Sequence, residues 1–177
     1  MKVLLDHRGD IDLAEMVSVR DINGRLPLHW ALSGLQHHQD KELKQEIPLQ
    51  MLSALQLLLD AKPDAINTRD KLGTTALHFV VNSGVTCASS LQAVKLLLDA
   101  KPDSSIFNAQ DHLSKTALLY AVACHASCSL SPNGHFMQLL ELIFENGADG
   151  RLYDNKGQTI LHHLAMRSTF GEPLNTA

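Results

Sequence analysis

Apolar residues return at three- and four-residue spacing in three stretches of the chain, and each stretch ends in a stop. They are LQMLSALQLLLDA (Leu49–Ala61), SLQAVKLLLDA (Ser90–Ala100) and HFMQLLELIFE (His135–Glu145). That spacing puts the aliphatic side chains on one helical face and predicts three amphipathic helices. Two of the stops are Lys62-Pro63 and Lys101-Pro102, where proline cannot continue a helix. The third is Asn146-Gly147, where glycine is free to turn left-handed after the last helical residue. The string LLLDAKPD occurs at Leu57–Asp64 and again 39 residues later at Leu96–Asp103. An eight-letter repetition points to a structural unit that recurs.

A second pattern, led by aspartate, recurs between these helices. The segments are DINGRLPLHWAL from Asp21, DKLGTTALHFVV from Asp70, DHLSKTALLYAV from Asp111 and DNKGQTILHHLA from Asp154. Asp is first in all four. Gly is fourth in three (Gly24, Gly73, Gly157), with Ser114 in the other. Thr is sixth in three (Thr75, Thr116, Thr159), with Leu26 in the other, and Leu is eighth throughout (Leu28, Leu77, Leu118, Leu161). His is ninth in three (His29, His78, His162), with Leu119 in the remaining one. Asp can accept from its own backbone and Gly supplies a positive φ, so each segment opens with a tight turn. Thr then caps a helix, and Pro27 falls at a first helical position where its missing N–H does no harm. A buried His needs a hydrogen-bond partner, and the Thr one turn back is within reach. Leu26 lacks the capping hydroxyl, so Leu26→Thr is expected to stabilise.

The pattern D-x-x-G-x-T-P-L-H-x-A, followed by a second helix ending in Leu-Leu and a stop, resembles the ankyrin repeat. The resemblance covers nearly the whole chain and returns in register four times. It implies an all-α solenoid of helix-turn-helix units, joined by β-hairpin-like turns, with extended loops between the two helices of each unit. It also implies a non-catalytic protein–protein interaction module, a scaffold, targeting or adaptor element. The alternative is the substrate-recruiting region of a larger enzyme or pathogen effector whose catalytic domain lies outside this chain.

The register departs from the family period of about 33 residues. Asp-to-Asp steps are 49 (21 to 70), 41 (70 to 111) and 43 (111 to 154). The surplus falls between the two helices of each unit, in SGLQHHQDKELKQEI, SGVTCASS and CHASCSLSPNG. Insertions in such arrays map to loops on one face, here expected on the edge opposite the Asp-Gly turns, with DKELKQE able to add a helical turn. Residues 1–20 read as the tail of a second helix and 154–177 as a first helix alone. The expected division is therefore a partial unit at 1–20, units at 21–69, 70–110 and 111–153, and a partial unit at 154–177, as though cut from a longer array.

Composition narrows the function. The chain has 177 residues, a net charge of −4 and 45% hydrophobic content, and no apolar run approaches a membrane span. An acidic balance argues against nucleic acid as partner. Three cysteines, Cys87, Cys124 and Cys128, form no framework and suit a reducing, cytoplasmic compartment, or the host cytosol for a secreted effector. CHASC at Cys124–Cys128 reads as a loop with too few ligands for zinc, so no metal and no cofactor is expected. His37-His38 is expected in solvent, and no catalytic motif or phosphate-binding loop is present. The chain is expected to be a monomer.

Recognition is expected at the turn tips and the exposed face of the first helices. The tip residues are Arg20, Ile22, Asn23 and Arg25, then Arg69, Lys71, Leu72 and Thr74. They continue with Gln110, His112, Leu113 and Lys115, and end with Tyr153, Asn155, Lys156 and Gln158. Six of the fifteen Lys and Arg residues are among them and no carboxylate is. That makes a positive edge suited to an acidic protein surface, with Ile22, Leu72, Leu113 and Tyr153 supplying apolar contact. The tenth position (Trp30, Phe79, Tyr120, His163) is expected to fill the seam between neighbouring first helices, or else to bind.

Overall fold

A computed structural model describes residues 13–33, 47–82, 88–127 and 134–170. Among the described residues the chain is all-α, with eight α-helices, two 3₁₀ segments and no strand beyond one isolated Arg69–Thr75 bridge. The helices are α1 (Leu13–Met16), α2 (Pro27–Ser33), α3 (Ile47–Ala61), α4 (Ala76–Asn82), α5 (Ala88–Asp99), α6 (Ala117–Ser127), α7 (Gly134–Glu145) and α8 (Ile160–Phe170). The inserted segments at 34–46, 83–87 and 128–133, and with them His37-His38, Cys87 and Cys128, lie outside the described residues, as do 1–12 and 171–177.

Packing follows the repeat. α2, α4, α6 and α8 lie against one another in chain order, and α3, α5 and α7 form a second row beside them. Within a unit α2 packs on α3, α4 on α5 and α6 on α7. One continuous core runs between the rows, with Leu28, Leu77 and Leu118 fully buried at equivalent positions. Burial of these aliphatic faces, at roughly 25 cal/mol per Å², outweighs the weak intrinsic stability of helices this short.

The repeated octapeptide does not leave its two helices in the same way. After α3, Lys62 keeps a negative φ (−152°) and a 3₁₀ segment starts at once, at Pro63–Asn67. After α5, Lys101 turns left-handed (φ +54°), its N–H bonds the Leu98 carbonyl, and the 3₁₀ segment waits until Ser104–Asn108. The cause is spacing. Six residues separate Asp64 from Asp70, and eight separate Asp103 from Asp111. The left-handed residue takes up the extra two, so that Ile66 and Ile106 both reach the core. After α7, Gly147 (φ +93°) makes the expected glycine stop, its N–H on the Phe144 carbonyl and the Ala148 N–H on that of Ile143.

Cys124 and His125 lie on helix α6, not in a loop. The loop expected from CHASC therefore begins later than the sequence indicates.

Candidate partner-binding surface

Each turn is built on one inward-facing carboxylate. Asp21 Oδ1 accepts the N–H groups of Asn23 and Arg25, each at 2.8 Å. Asp70 Oδ1 does so from Leu72 and Thr74, Asp111 Oδ1 from Leu113 and Lys115, and Asp154 Oδ1 from Lys156 and Gln158, all within 2.8–3.0 Å. The Asp N–H bonds the carbonyl four residues on, and the fourth residue's N–H bonds the Asp carbonyl. That fourth residue has positive φ in every turn, from +73° to +77° at the three glycines and +56° at Ser114.

The second oxygen of each Asp faces the tenth position. Trp30 Nε1 donates to Asp21 Oδ2 at 3.0 Å and the Tyr120 hydroxyl donates to Asp111 Oδ2 at 2.6 Å. His163 Nε2 lies 3.6 Å from Asp154 Oδ2. Phe79 has nothing to donate, and at Asp70 the preceding turn supplies Arg25, whose Nε sits 3.5 Å away in an ion pair longer than a hydrogen bond. Tenth-position rings also reach the previous unit: Phe79 meets His29 edge-on with centroids 5.2 Å apart, and Tyr120 meets His78 at 5.8 Å. Phe79 and Tyr120 therefore fill the seam, Trp30 and Tyr120 hold the turn, and the second duty is one that the sequence did not signal.

Neighbouring turns are stitched together by main-chain bonds. The N–H groups of Lys71, His112 and Asn155 donate to the carbonyls of Asn23, Leu72 and Leu113, each at 2.9 Å. Ahead of each Asp a side chain repeats the stitch. Arg20 donates to the Arg69 carbonyl, Arg69 to the Gln110 carbonyl and Gln110 to the Tyr153 carbonyl, at 2.9, 3.2 and 3.0 Å. A third line joins Asn67 Oδ1 to the Asp103 N–H and Asn108 Oδ1 to the Asp149 N–H.

His29 and His78 sit between units. His78 Nε2 faces the Lys115 carbonyl at 3.1 Å, and a carbonyl only accepts, so the network assigns the proton to Nε2. Nδ1 then accepts from the Thr75 hydroxyl at 2.8 Å and the Thr75 N–H at 3.3 Å. Thr159 and His162 repeat the pair. Where Leu119 replaces His, the Thr116 hydroxyl is released and accepts the Leu119 N–H as an ordinary helix cap. The expected Thr cap is thus used in that unit, and elsewhere the hydroxyl serves the His. Burial lowers the His78 and His29 pKa values. His29 Nδ1 accepts the Leu26 N–H, and its buried Nε2 has no hydrogen-bond partner among the described residues, although Asp70 and the Thr68 backbone favour its protonated form.

The sixteen tip residues fall into three groups. Arg20, Arg69 and Gln110 are spent on the stitching just described. Arg25 packs over the Trp30 and Phe79 rings and Lys115 over Tyr120. Ile22 is 87% exposed and Tyr153 60%, and Asn23, Lys71, Leu72, His112, Asn155 and Lys156 are exposed beside them. Thr74, Leu113 and Gln158 are half-buried. The Lys71 and Lys156 side chains make no hydrogen bond or ion pair among the described residues. All four turn carboxylates are turned inward, and Asp154, although burial alone would raise it, is held below the usual carboxylate range by the Gln158 and Lys156 N–H groups and by the His163 and Lys115 charges.

Residues 47–130 match a family model described as ankyrin repeats, in three copies. That stretch is an ankyrin-repeat region. No curated protein matches the chain. The match takes in the turns led by Asp70 and Asp111, and the turns led by Asp21 and Asp154 outside it have the same hydrogen bonds. No group of three or more His, Cys, Asp or Glu side chains able to hold a metal ion occurs among the described residues, and no described helix is long and apolar enough to cross a membrane.

Proposed function

We propose that this chain is a protein-binding ankyrin solenoid, divided into units at Asp21, Asp70, Asp111 and Asp154, and that its β-hairpin-like turn tips form the contact edge. Its role is that of a scaffold, targeting or adaptor element in a reducing, cytoplasmic compartment, without catalysis of its own. The observation that carries the reading is the inward turn of every Asp. Four stitched tips project in one row with Lys71, His112 and Lys156 outward and no exposed carboxylate among them. Such a row attracts an acidic protein surface, and Ile22, Leu72, Leu113 and Tyr153 add apolar contact around the charges. Arg20 and Arg69, exposed but hydrogen-bonded to the next turn, and half-buried Arg25 contribute positive potential and take no part in direct pairing.

The test is affinity capture followed by kinetics on the captured protein, comparing wild type with Lys71→Glu/Lys156→Glu. Association should slow by about tenfold at low salt, with the difference shrinking as salt rises. An association rate indifferent to both reversals overturns the reading and moves the interface to the inserted segments.

A further inference from the structure

His29 and His78 hold equivalent places in successive joints, yet their Nδ1 atoms have different partners. Both rings are buried, His29 edge-on to Phe79 and His78 edge-on to Tyr120. In each, Nδ1 accepts a hydrogen bond, so the neutral ring carries its proton on Nε2. His78 Nδ1 faces the Thr75 hydroxyl at 2.8 Å. A hydroxyl both donates and accepts, so the Thr75 oxygen turns round when Nδ1 gains a proton. His29 Nδ1 faces the Leu26 N–H at 3.0 Å, and an N–H only donates. A proton on that Nδ1 sets two donors against each other and strips the buried Leu26 N–H of its acceptor. One position in the sequence makes the difference: the sixth residue is Thr in the turn led by Asp70 and Leu in the turn led by Asp21.

The surroundings of the two rings differ in the same sense. Around His29 one carboxylate, Asp70, draws a positive charge and two guanidiniums, Arg20 and Arg25, repel it. Around His78 two carboxylates, Asp111 and Asp70, draw it and one guanidinium, Arg69, repels it. The first joint is also less completely bonded. His29 Nε2, Arg25 Nε and Asp70 Oδ2 are buried with no hydrogen-bond partner among the described residues. At the second joint His78 Nε2 faces the Lys115 carbonyl, and Asp111 Oδ2 takes the Tyr120 hydroxyl.

We propose that acid opens the joint between α2 and α4 before the joint between α4 and α6, with His29 as the group that senses it. In the opened joint water satisfies both ring nitrogens, so opening takes up a proton and is favoured as pH falls. The turn led by Asp21, with Ile22 and Asn23, then leaves the row of tips, and the turns led by Asp70, Asp111 and Asp154 stay joined. The device is a property of the stack and acts with or without a bound partner.

The experiment is amide exchange on the full 177-residue chain between pH 7 and pH 5, read as protection factors. The Lys71 N–H bonds the Asn23 carbonyl across the first joint, and the His112 N–H bonds the Leu72 carbonyl across the second. The ratio of Lys71 to His112 protection should fall by about tenfold over that range. Leu26→Thr supplies a hydroxyl at Nδ1, and His29→Asn supplies a carbonyl oxygen that does not titrate. Circular dichroism at pH 7 establishes that each variant is folded. In a folded variant, whatever its stability at pH 7, the ratio should stay level. A wild-type ratio that stays level or rises on acidification overturns the proposal. So does a fall in the ratio that persists undiminished in either folded variant.

Discussion

The Tyr120 hydroxyl donates to Asp111 Oδ2 at 2.6 Å, so the residue nine positions after a turn aspartate holds its second oxygen. A hydrogen bond to a buried carboxylate contributes about 1.5–3 kcal/mol. Tyr120→Phe should lower stability by about that amount in urea titration. Phe79→Tyr is the converse: it offers Asp70 a hydroxyl where only Arg25 at 3.5 Å now serves, and should raise stability by about 1 kcal/mol.

Two residues with side chains occupy left-handed backbone, Lys101 (φ +54°) and Ser114 (φ +56°). Glycine adopts this region without steric penalty. Lys101→Gly and Ser114→Gly should each stabilise by about 0.5–1 kcal/mol, seen as a raised melting midpoint. Gly24→Ala runs the other way, since a Cβ there would sit 3.2 Å from the Lys71 nitrogen in addition to the φ of +77°.

Leu26 reverses an expectation. Its position reads as a lost cap, which favours Thr. In the folded chain Leu26 is 2% exposed within the core, and its N–H already donates to His29 Nδ1. A new hydroxyl adds one bond at His29, while the lost aliphatic volume costs more. Leu26→Thr should destabilise by about 1–2 kcal/mol in the same titration.

What could be read in advance from the sequence divides by range. Turn chemistry was legible because its donors and acceptors lie within four residues: Asp first, Gly fourth and Leu eighth act locally. The stitching by Arg20, Arg69 and Gln110 was not, because its acceptors lie 41 to 49 residues away and the three side chains look like free tip groups. For the same reason Arg20 and Arg69, exposed as the sequence suggests, are also tied to the carbonyls of the next turn. The identical octapeptides illustrate the limit most directly, since their exits differ through two residues that lie beyond both copies.

Acid should weaken the stack through His29 and His78. Burial favours their neutral forms, so their folded pKa values lie below the ordinary 6.5. Between the folded values and 6.5 the unfolded chain binds more protons, and stability falls as pH falls. The contribution is complete above about pH 6.5 and is lost progressively below it. Asp70 with Arg20 and Arg25 around His29, and Asp111, Asp70 and Arg69 around His78, face the rings and modulate the loss. Melting midpoints should drop from pH 7 to pH 5. Replacing both histidines by Leu, the residue at 119, should flatten that slope.

Amide exchange on a dilute, monomeric sample probes the stack most directly. The amides of Lys71, His112 and Asn155, each bonded to the preceding turn, should be strongly protected, and that of Ile22 should exchange freely. If all four amides, which belong to equally exposed loop residues, exchange at the same rate, the turns are not joined in register and the shared row of tips does not exist.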